Sequence, residues 1–129
     1  MIKTVGLTKV FRTETVETTA LSNVDIQIKQ GEFVAIMGPS GCGKSTLLNI
    51  IGLLDAPSSG SYVFDGVEAG SLSEPQRTAL RRGKVGFVFQ NFNLVEDLTV
   101  RENVELPLVY LKMSYGERKR RVADALNRM

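Results

Sequence analysis

The run Gly38-Pro39-Ser40-Gly41-Cys42-Gly43-Lys44-Ser45 has the spacing G-x-x-x-x-G-K-[ST] and is followed by Thr46. Residues of these types at these positions suit one chemistry, the holding of phosphate groups. Glycines let the backbone wrap closely round an anion in conformations that side-chain-bearing residues resist. The amides of Gly41, Cys42, Gly43 and Lys44 are then expected to point inward as a nest of donors. A helix opening at the end of the loop adds unpaired N–H groups and a positive dipole end. Lys44 supplies a mobile cation for the β- and γ-phosphates. The Ser45 hydroxyl suits Mg²⁺, and Thr46 suits the α-phosphate. Gly38, Ser40 and Cys42 complete the loop, Cys42 as a small residue that fits among the amides. The ligand expected from the pattern is a nucleoside triphosphate, Mg-ATP first.

A phosphate loop works only when a strand delivers it and a helix follows it. Phe33-Val34-Ala35-Ile36-Met37 is continuously apolar, as a strand buried on both faces is. Thr46–Leu54 is apolar nearly all round and reads as a buried helix. Upstream, Ile2–Phe11 reads as a strand and Arg12–Thr19 as a loop. Val24–Lys29 alternates like a half-buried strand. Tyr62-Val63-Phe64 is a short strand ending in the turn pair Asp65-Gly66. Ser73-Glu74-Pro75-Gln76 opens a helix with a capping box, and Gly83 stops it. Val85–Phe89 reads as a second buried strand. Thr99 caps a short helix over Arg101–Glu105, ahead of Pro107, and Ser114 with Glu117 forms another capping box for a helix running to the C-terminus.

Two further residues stand where a phosphate-bound nucleotide would be met. Gln90 follows the second buried strand, and ligands of open α/β sheets bind beyond the carboxyl ends of the strands. It suits the γ-phosphate side, the metal or an attacking water, or else simply caps a loop. Phe11 ends the first strand, where it either stacks on a purine base or packs in the β-layer. The basic run Arg118-Lys119-Arg120-Arg121 is read as a solvated helix face, with an acidic lipid or partner as the alternative.

Composition narrows the classes. The chain has 129 residues, 43% hydrophobic and 23% charged, which suits one modest globular domain. A net charge of +2 gives no argument for a nucleic-acid partner. No apolar run approaches the roughly 18 residues of a membrane span, and no signal-peptide layout opens the chain. One cysteine fits a reducing cytosol. The chain has no histidine, which excludes histidine acid–base chemistry and histidine metal sites.

With these residues placed, the chain resembles an ATP-binding-cassette (ABC) transporter ATPase of the macrolide-export and lipoprotein-release type. The resemblance is carried by Leu7–Phe11, Gly31–Gly41, Leu47–Asp55, Gly86–Gln90 and Asn103–Leu108 and runs over essentially the whole chain. It implies an α/β P-loop NTPase fold: an antiparallel β-subdomain, a Walker A strand and helix, and the start of a helical subdomain. The implied division is 1–90, β-subdomain and ATP-binding core, and 91–129, Q-loop and start of the helical subdomain. It makes Phe11 the adenine-stacking aromatic, although the family commonly has tyrosine there. Val16 then touches base or ribose, and Gln90 becomes the Q-loop glutamine that shares the metal with Ser45. Implied partners are a membrane permease, met through the region after Gln90, and a second cassette. The implied place is the cytoplasmic face of the membrane, without insertion into it.

The chain departs from the family pattern as well. It contains no LSGGQ-type signature, no Walker B Asp-Glu pair, no D-loop and no switch histidine. Leu72–Gln76 echoes the signature but lacks its glycines and precedes Gln90. The sequence is therefore read as about the first half of a cassette, expected to bind Mg-ATP without efficient hydrolysis. Unprotected strand edges are expected to drive self-association. Two other readings stand beside this one: a non-catalytic nucleotide-binding or permease-interacting module, and another P-loop enzyme such as a small-molecule kinase.

Overall fold

The computed structural model describes residues 1–129, and the chain divides into two compact units, Met1–Arg81 and Arg82–Met129. In the first unit β1 (Ile2–Arg12) and β2 (Glu17–Ile28) form a long antiparallel hairpin. β3 (Ser59–Phe64) pairs on the other side of β1, and β4 (Val67–Glu68) pairs with β3, giving the order β2-β1-β3-β4. The alternation read at Val24–Ile28 is real: Val24, Ile26 and Ile28 are half-buried, and Asp25 and Gln27 face water. The expected loop Arg12–Thr19 is shorter than that. Arg12 pairs with Glu17 across a tight connection, held by their 2.8 Å ion pair and by the Thr13 amide bonding to the Val16 carbonyl. Asp65 and Gly66 both have positive φ (50° and 81°), the mirror-image turn that matches strand twist.

α1 (Lys44–Ile51) packs on this sheet. Leu7, Leu21, Leu47, Ile50, Leu53, Tyr62 and Ala69 form the core, each at most 6% exposed. The single buried polar residue, Thr4, is satisfied: its hydroxyl donates to the Val24 carbonyl and accepts from the Ile26 amide. The helix is one-sided and does not bury its whole circumference, because Leu48 remains 49% exposed. Its carboxyl end is closed by neighbours: the Tyr62 hydroxyl donates to the Ile51 carbonyl (2.5 Å) and Arg81 to the Leu53 carbonyl (2.8 Å). Arg81 ends α2 (Glu74–Arg81). At the start of α2, Gln76 Oε1 accepts from both the amide and the hydroxyl of Ser73, so only the Gln76 half of the expected capping box is made, and the signature-like run leads into a helix.

The second unit contains α3 (Val100–Tyr110) and α4 (Tyr115–Leu126), packed on each other around buried Val122 and joined by the 2.7 Å Arg118–Glu105 ion pair. Thr99 and Glu102 form a complete capping box. The expected box at Ser114 is only half made. Its side chain accepts from the Glu117 amide, but the Glu117 carboxylate is taken by Arg120 and Arg121. α3 runs on through Pro107, which the sequence reading took for its limit. A proline removes one N–H from the ladder, and the helix continues with the Leu111 amide on the Pro107 carbonyl.

Two expected strands, Phe33–Met37 and Val85–Phe89, pair with nothing in this chain. Phe33, Met37 and Val88 are 97%, 88% and 102% exposed. A continuously apolar strand becomes a strand only between hydrogen-bonded neighbours; neither run has a ladder partner, although Ile36 packs against the core of the first unit. Phe87 and Phe89 instead stack on each other, 5.4 Å between ring centres.

Candidate phosphate-binding site

The loop between residue 37 and α1 has the left-handed turns its glycines predict, but the Cys42 amide, expected as a free inward donor, bonds to the Pro39 carbonyl at 3.4 Å. Gly41 and Gly43 have φ of +80° and +88°, a left-handed backbone that side chains resist. Gly43 is the N-cap of α1. No side chain caps that end, and no acidic residue occupies the first turn. The amino end of the helix thus presents its unpaired amides and positive dipole end beside the loop, as an anion site requires. The Lys44 ammonium folds back over the loop and donates to the carbonyls of Gly38 (2.9 Å) and Pro39 (2.6 Å), 3.6 Å from the Cys42 sulfur. Ser45 is exposed and Thr46 half-buried on the first turn, and Ser40 and Cys42 are exposed on the loop.

A backbone irregularity docks the loop on the sheet. Lys9 pairs with Leu21 and Val10 with Thr19, so Ala20 is an extra residue on β2. Such a bulge re-aims the strand locally. A Cβ on Gly43 would lie 2.4 Å from the Ala20 carbonyl oxygen and 2.9 Å from a Leu21 methyl. Only glycine permits this approach. Two residues from Ala20, Thr18 pairs with Phe11, so the end of β1 and the phosphate loop are neighbours along the same strand, separated by about 7 Å of extended chain.

Phe11 is 46% exposed at that strand end, and Val16, 58% exposed, sits in the adjoining turn. Phe11, Val16 and Gly38–Thr46 all belong to the first unit, with β2 as the element that links the end of β1 to the loop. Gln90 belongs to the second unit, where it is exposed in a turn after residues 85–89. Two participants were not read from the sequence. One is Ala20, whose bulge no residue type announces. The other is Lys9, whose place two residues before Phe11 was visible but whose contacts were not.

The residues fit a magnesium nucleotide. The loop at Gly41 is open, with nothing within 4 Å of a Cβ position there. No group of three or more carboxylate, cysteine or histidine side chains forms a protein-only metal cage. Mg²⁺ does not need one, since it is usually held by one or two protein oxygens, substrate phosphates and water.

Comparison with known proteins agrees with this geometry. Residues 21–129 match the family model described as ABC transporter. The chain is 49% identical over 129 residues to the uncharacterized ABC transporter ATP-binding protein MJ0796 of Methanocaldococcus jannaschii, covering 98% of this chain and 55% of that protein. It is 50% identical over 111 residues to the macrolide export ATP-binding/permease protein MacB of Campylobacter jejuni, covering 86% of this chain and 17% of that one. Among solved structures, the dimeric post-hydrolysis state of the MJ0796 cassette bound to ADP and Pi superposes with a TM-score of 0.90 at 48% identity. That match covers 98% of this chain and 56% of the other. The chain thus spans about half the length of the single-cassette relative it matches, with the fold of an α/β P-loop NTPase fragment. No helix is long and apolar enough to cross a membrane. A phosphate-type loop docked on a β-bulge, a family match over residues 21–129 and a near-superposable cassette together establish that the chain belongs to the ABC transporter ATP-binding family.

Proposed function

We propose that this chain binds Mg-ATP through Gly38–Thr46 as part of a cassette that powers a membrane permease. The observation that carries the reading is the uncapped amino end of α1, wrapped by a left-handed glycine loop with the Lys44 ammonium folded over it. In this reading the amides of Gly41, Cys42, Gly43 and Lys44 bind β-phosphate oxygens, Lys44 leaves the loop carbonyls for the β- and γ-phosphates, and Thr46 bonds the α-phosphate. Gly38 and Ser40 shape the mouth of the loop. Ser45 would hold Mg²⁺ through its hydroxyl, Gln90 is the second oxygen donor that the family resemblance implies, and the ion would supply neutralisation of the phosphate charge. Phe11 stacks on adenine and Val16 borders it. Gln90 also orients the attacking water when the remaining cassette elements are supplied.

Phosphoryl transfer depends on complete positioning and electrostatic stabilisation. The chain holds the phosphate cradle without a signature sequence or Walker B carboxylates, so it binds without efficient turnover. Calorimetric titration with Mg-ATP tests this directly. The intact chain should bind and Lys44→Ala should lose at least about tenfold in affinity, the scale of removing one charge-assisted contact. Equal binding by both proteins would sink the reading. Robust Lys44-dependent turnover by the chain would overturn the claim of binding without hydrolysis.

The permease side of the proposal is supported in the second unit. Leu94, Val95, Leu98, Val100 and Val104 line an apolar groove of about 410 Å³, of a size for side chains from a short partner segment. Retention of a solubilised permease of the MacB type on the immobilised chain, lost in a Val100→Glu variant, is the expected result. A second cassette is the other partner, and MJ0796 is dimeric in its solved structure.

A further inference from the structure

Lys9 occupies an unusual place for a lysine. Its side chain is only 13% exposed, and its ammonium donates to Asp55 Oδ1 at 2.7 Å and to the Ala56 carbonyl at 2.8 Å. The same nitrogen lies 5.1 Å from the centre of the Phe11 ring. A lysine on a strand normally extends its charge into water. Here the carboxylate and the carbonyl compensate for the lost hydration, and the cation is held beside an aromatic ring that is still 46% exposed.

The partners of Lys9 lead back to the phosphate loop. Asp55 and Ala56 follow α1. The amides of Leu54 and Asp55 both donate to the Asn49 carbonyl, at 2.8 and 3.2 Å, and the Ala56 amide is tied to Asp55 Oδ1 at 2.7 Å. A continuous set of contacts therefore runs from the helix that begins at Lys44, through Asn49 and Asp55, to Lys9 and Phe11. The Ala20 bulge supplies a separate link through the sheet.

We infer that Lys9 is a positioning residue for nucleoside recognition: it holds the Phe11 ring by a cation–π contact and sets that ring at a fixed place relative to the phosphate loop. The inference rests on the reading of Phe11 as the base-stacking aromatic. An aromatic ring at a strand end loses rotamer freedom when a ligand stacks on it, and a ring ordered beforehand avoids that loss. A cation beside the ring also draws on its π density. Lys9 thus contributes to affinity for the purine end of the ligand and leaves the triphosphate end unaffected. A lysine that merely tied β1 to the segment after α1 would not distinguish the two ends.

Two ligands separate these roles: Mg-ATP, and Mg-tripolyphosphate, which has no base. Binding of both is measured by calorimetry on the full chain and on Lys9→Met, Lys9→Arg, Phe11→Leu and the Lys9→Met/Phe11→Leu double variant. In Lys9→Met, ATP affinity should fall about threefold to tenfold while tripolyphosphate affinity changes by less than about twofold, the range of one cation–π contact. Lys9→Arg, which keeps a cation for both the carboxylate and the ring, should recover most of the loss. Lys9→Met should add nothing in the Phe11→Leu background. If Lys9→Met does not fold, Asp55→Asn, which loosens the ammonium without removing it, should lower ATP affinity selectively in the same direction.

Equal loss for both ligands, no loss for either, or an undiminished effect in the Phe11→Leu background overturns the inference. If Phe11→Leu itself leaves the ATP-to-tripolyphosphate ratio unchanged, the stacking reading of Phe11 fails and the role of Lys9 fails with it. If Phe11→Leu lowers the ratio and Lys9→Met does not, Lys9 alone is misassigned.

Discussion

Gly43 excludes a side chain for two separate reasons, and Gly41 for one. Both have left-handed backbones, but only Gly43 faces a fixed obstacle, the Ala20 carbonyl. Gly41→Ala should cost about 1–2 kcal/mol through backbone strain. Gly43→Ala should cost a further ~1–3 kcal/mol, since backbone must move to relieve the overlap. Urea unfolding of the two variants checks this, and equal midpoints would show that the close approach to β2 carries no energy. Tyr62 gives a second test at this scale. Its hydroxyl is withheld from water, which pushes its pKa well above the ordinary phenol value, and it donates to the Ile51 carbonyl. Tyr62→Phe leaves that carbonyl without its partner and should destabilise the chain by about 1–3 kcal/mol. An unchanged melting temperature would exclude that role.

At the scale of elements, caps and a hairpin clasp decide where helices and strands stop. Thr99 and Ser114 each accept an amide at the start of a helix in the second unit. Thr99→Ala or Ser114→Ala should therefore each cost ~1 kcal/mol, seen as a lower helical melting midpoint by circular dichroism. The β3–β4 hairpin is closed by Glu68. Partial burial raises the pKa of this carboxyl, but bonds from the Ser61 hydroxyl and from the Tyr62 and Gly70 amides outweigh it and hold the value below the ordinary 4.5. A carboxylate with a depressed folded pKa adds stability above its unfolded value, and that stability fades as pH falls through the folded value. Glu68→Gln should thus be less stable than the parent at neutral pH and should show a shallower loss of stability below pH about 4.5. Parallel acid-unfolding curves for the two proteins would exclude this linkage.

For the whole molecule, the deciding feature is apolar chain without a strand partner. Phe33, Met37 and Val88 are almost fully exposed, and exposed apolar segments of this kind invite pairing with another chain. The apparent mass should rise with concentration in light scattering, and Phe33→Lys combined with Val88→Lys should reduce that rise. A strict monomer at high concentration would count against it. The same segments show where sequence reading reaches its limit. The glycine-rich loop, the hairpin turn at Asp65-Gly66, the cap at Thr99 and the half-buried pattern of Val24–Ile28 were legible because each is set by residues close in sequence. Glycine at left-handed positions, hydroxyls before helices and period-two alternation act locally. The residues of Phe33–Met37 and Val85–Phe89 were equally legible as apolar runs, but a strand is a relation between segments, and the tertiary structure gives them no partner. Likewise, the sequence by itself determined that a glycine-rich loop of phosphate-binding type leads into a helix, read over Thr46–Leu54 and found over Lys44–Ile51. Only the tertiary structure decided that this loop rests on a bulge at Ala20 and that Lys9 joins Phe11 to Asp55. Those contacts span 23 and 46 residues of chain from Gly43 to Ala20 and from Lys9 to Asp55, and strand register and packing, not local residue preference, bring them together.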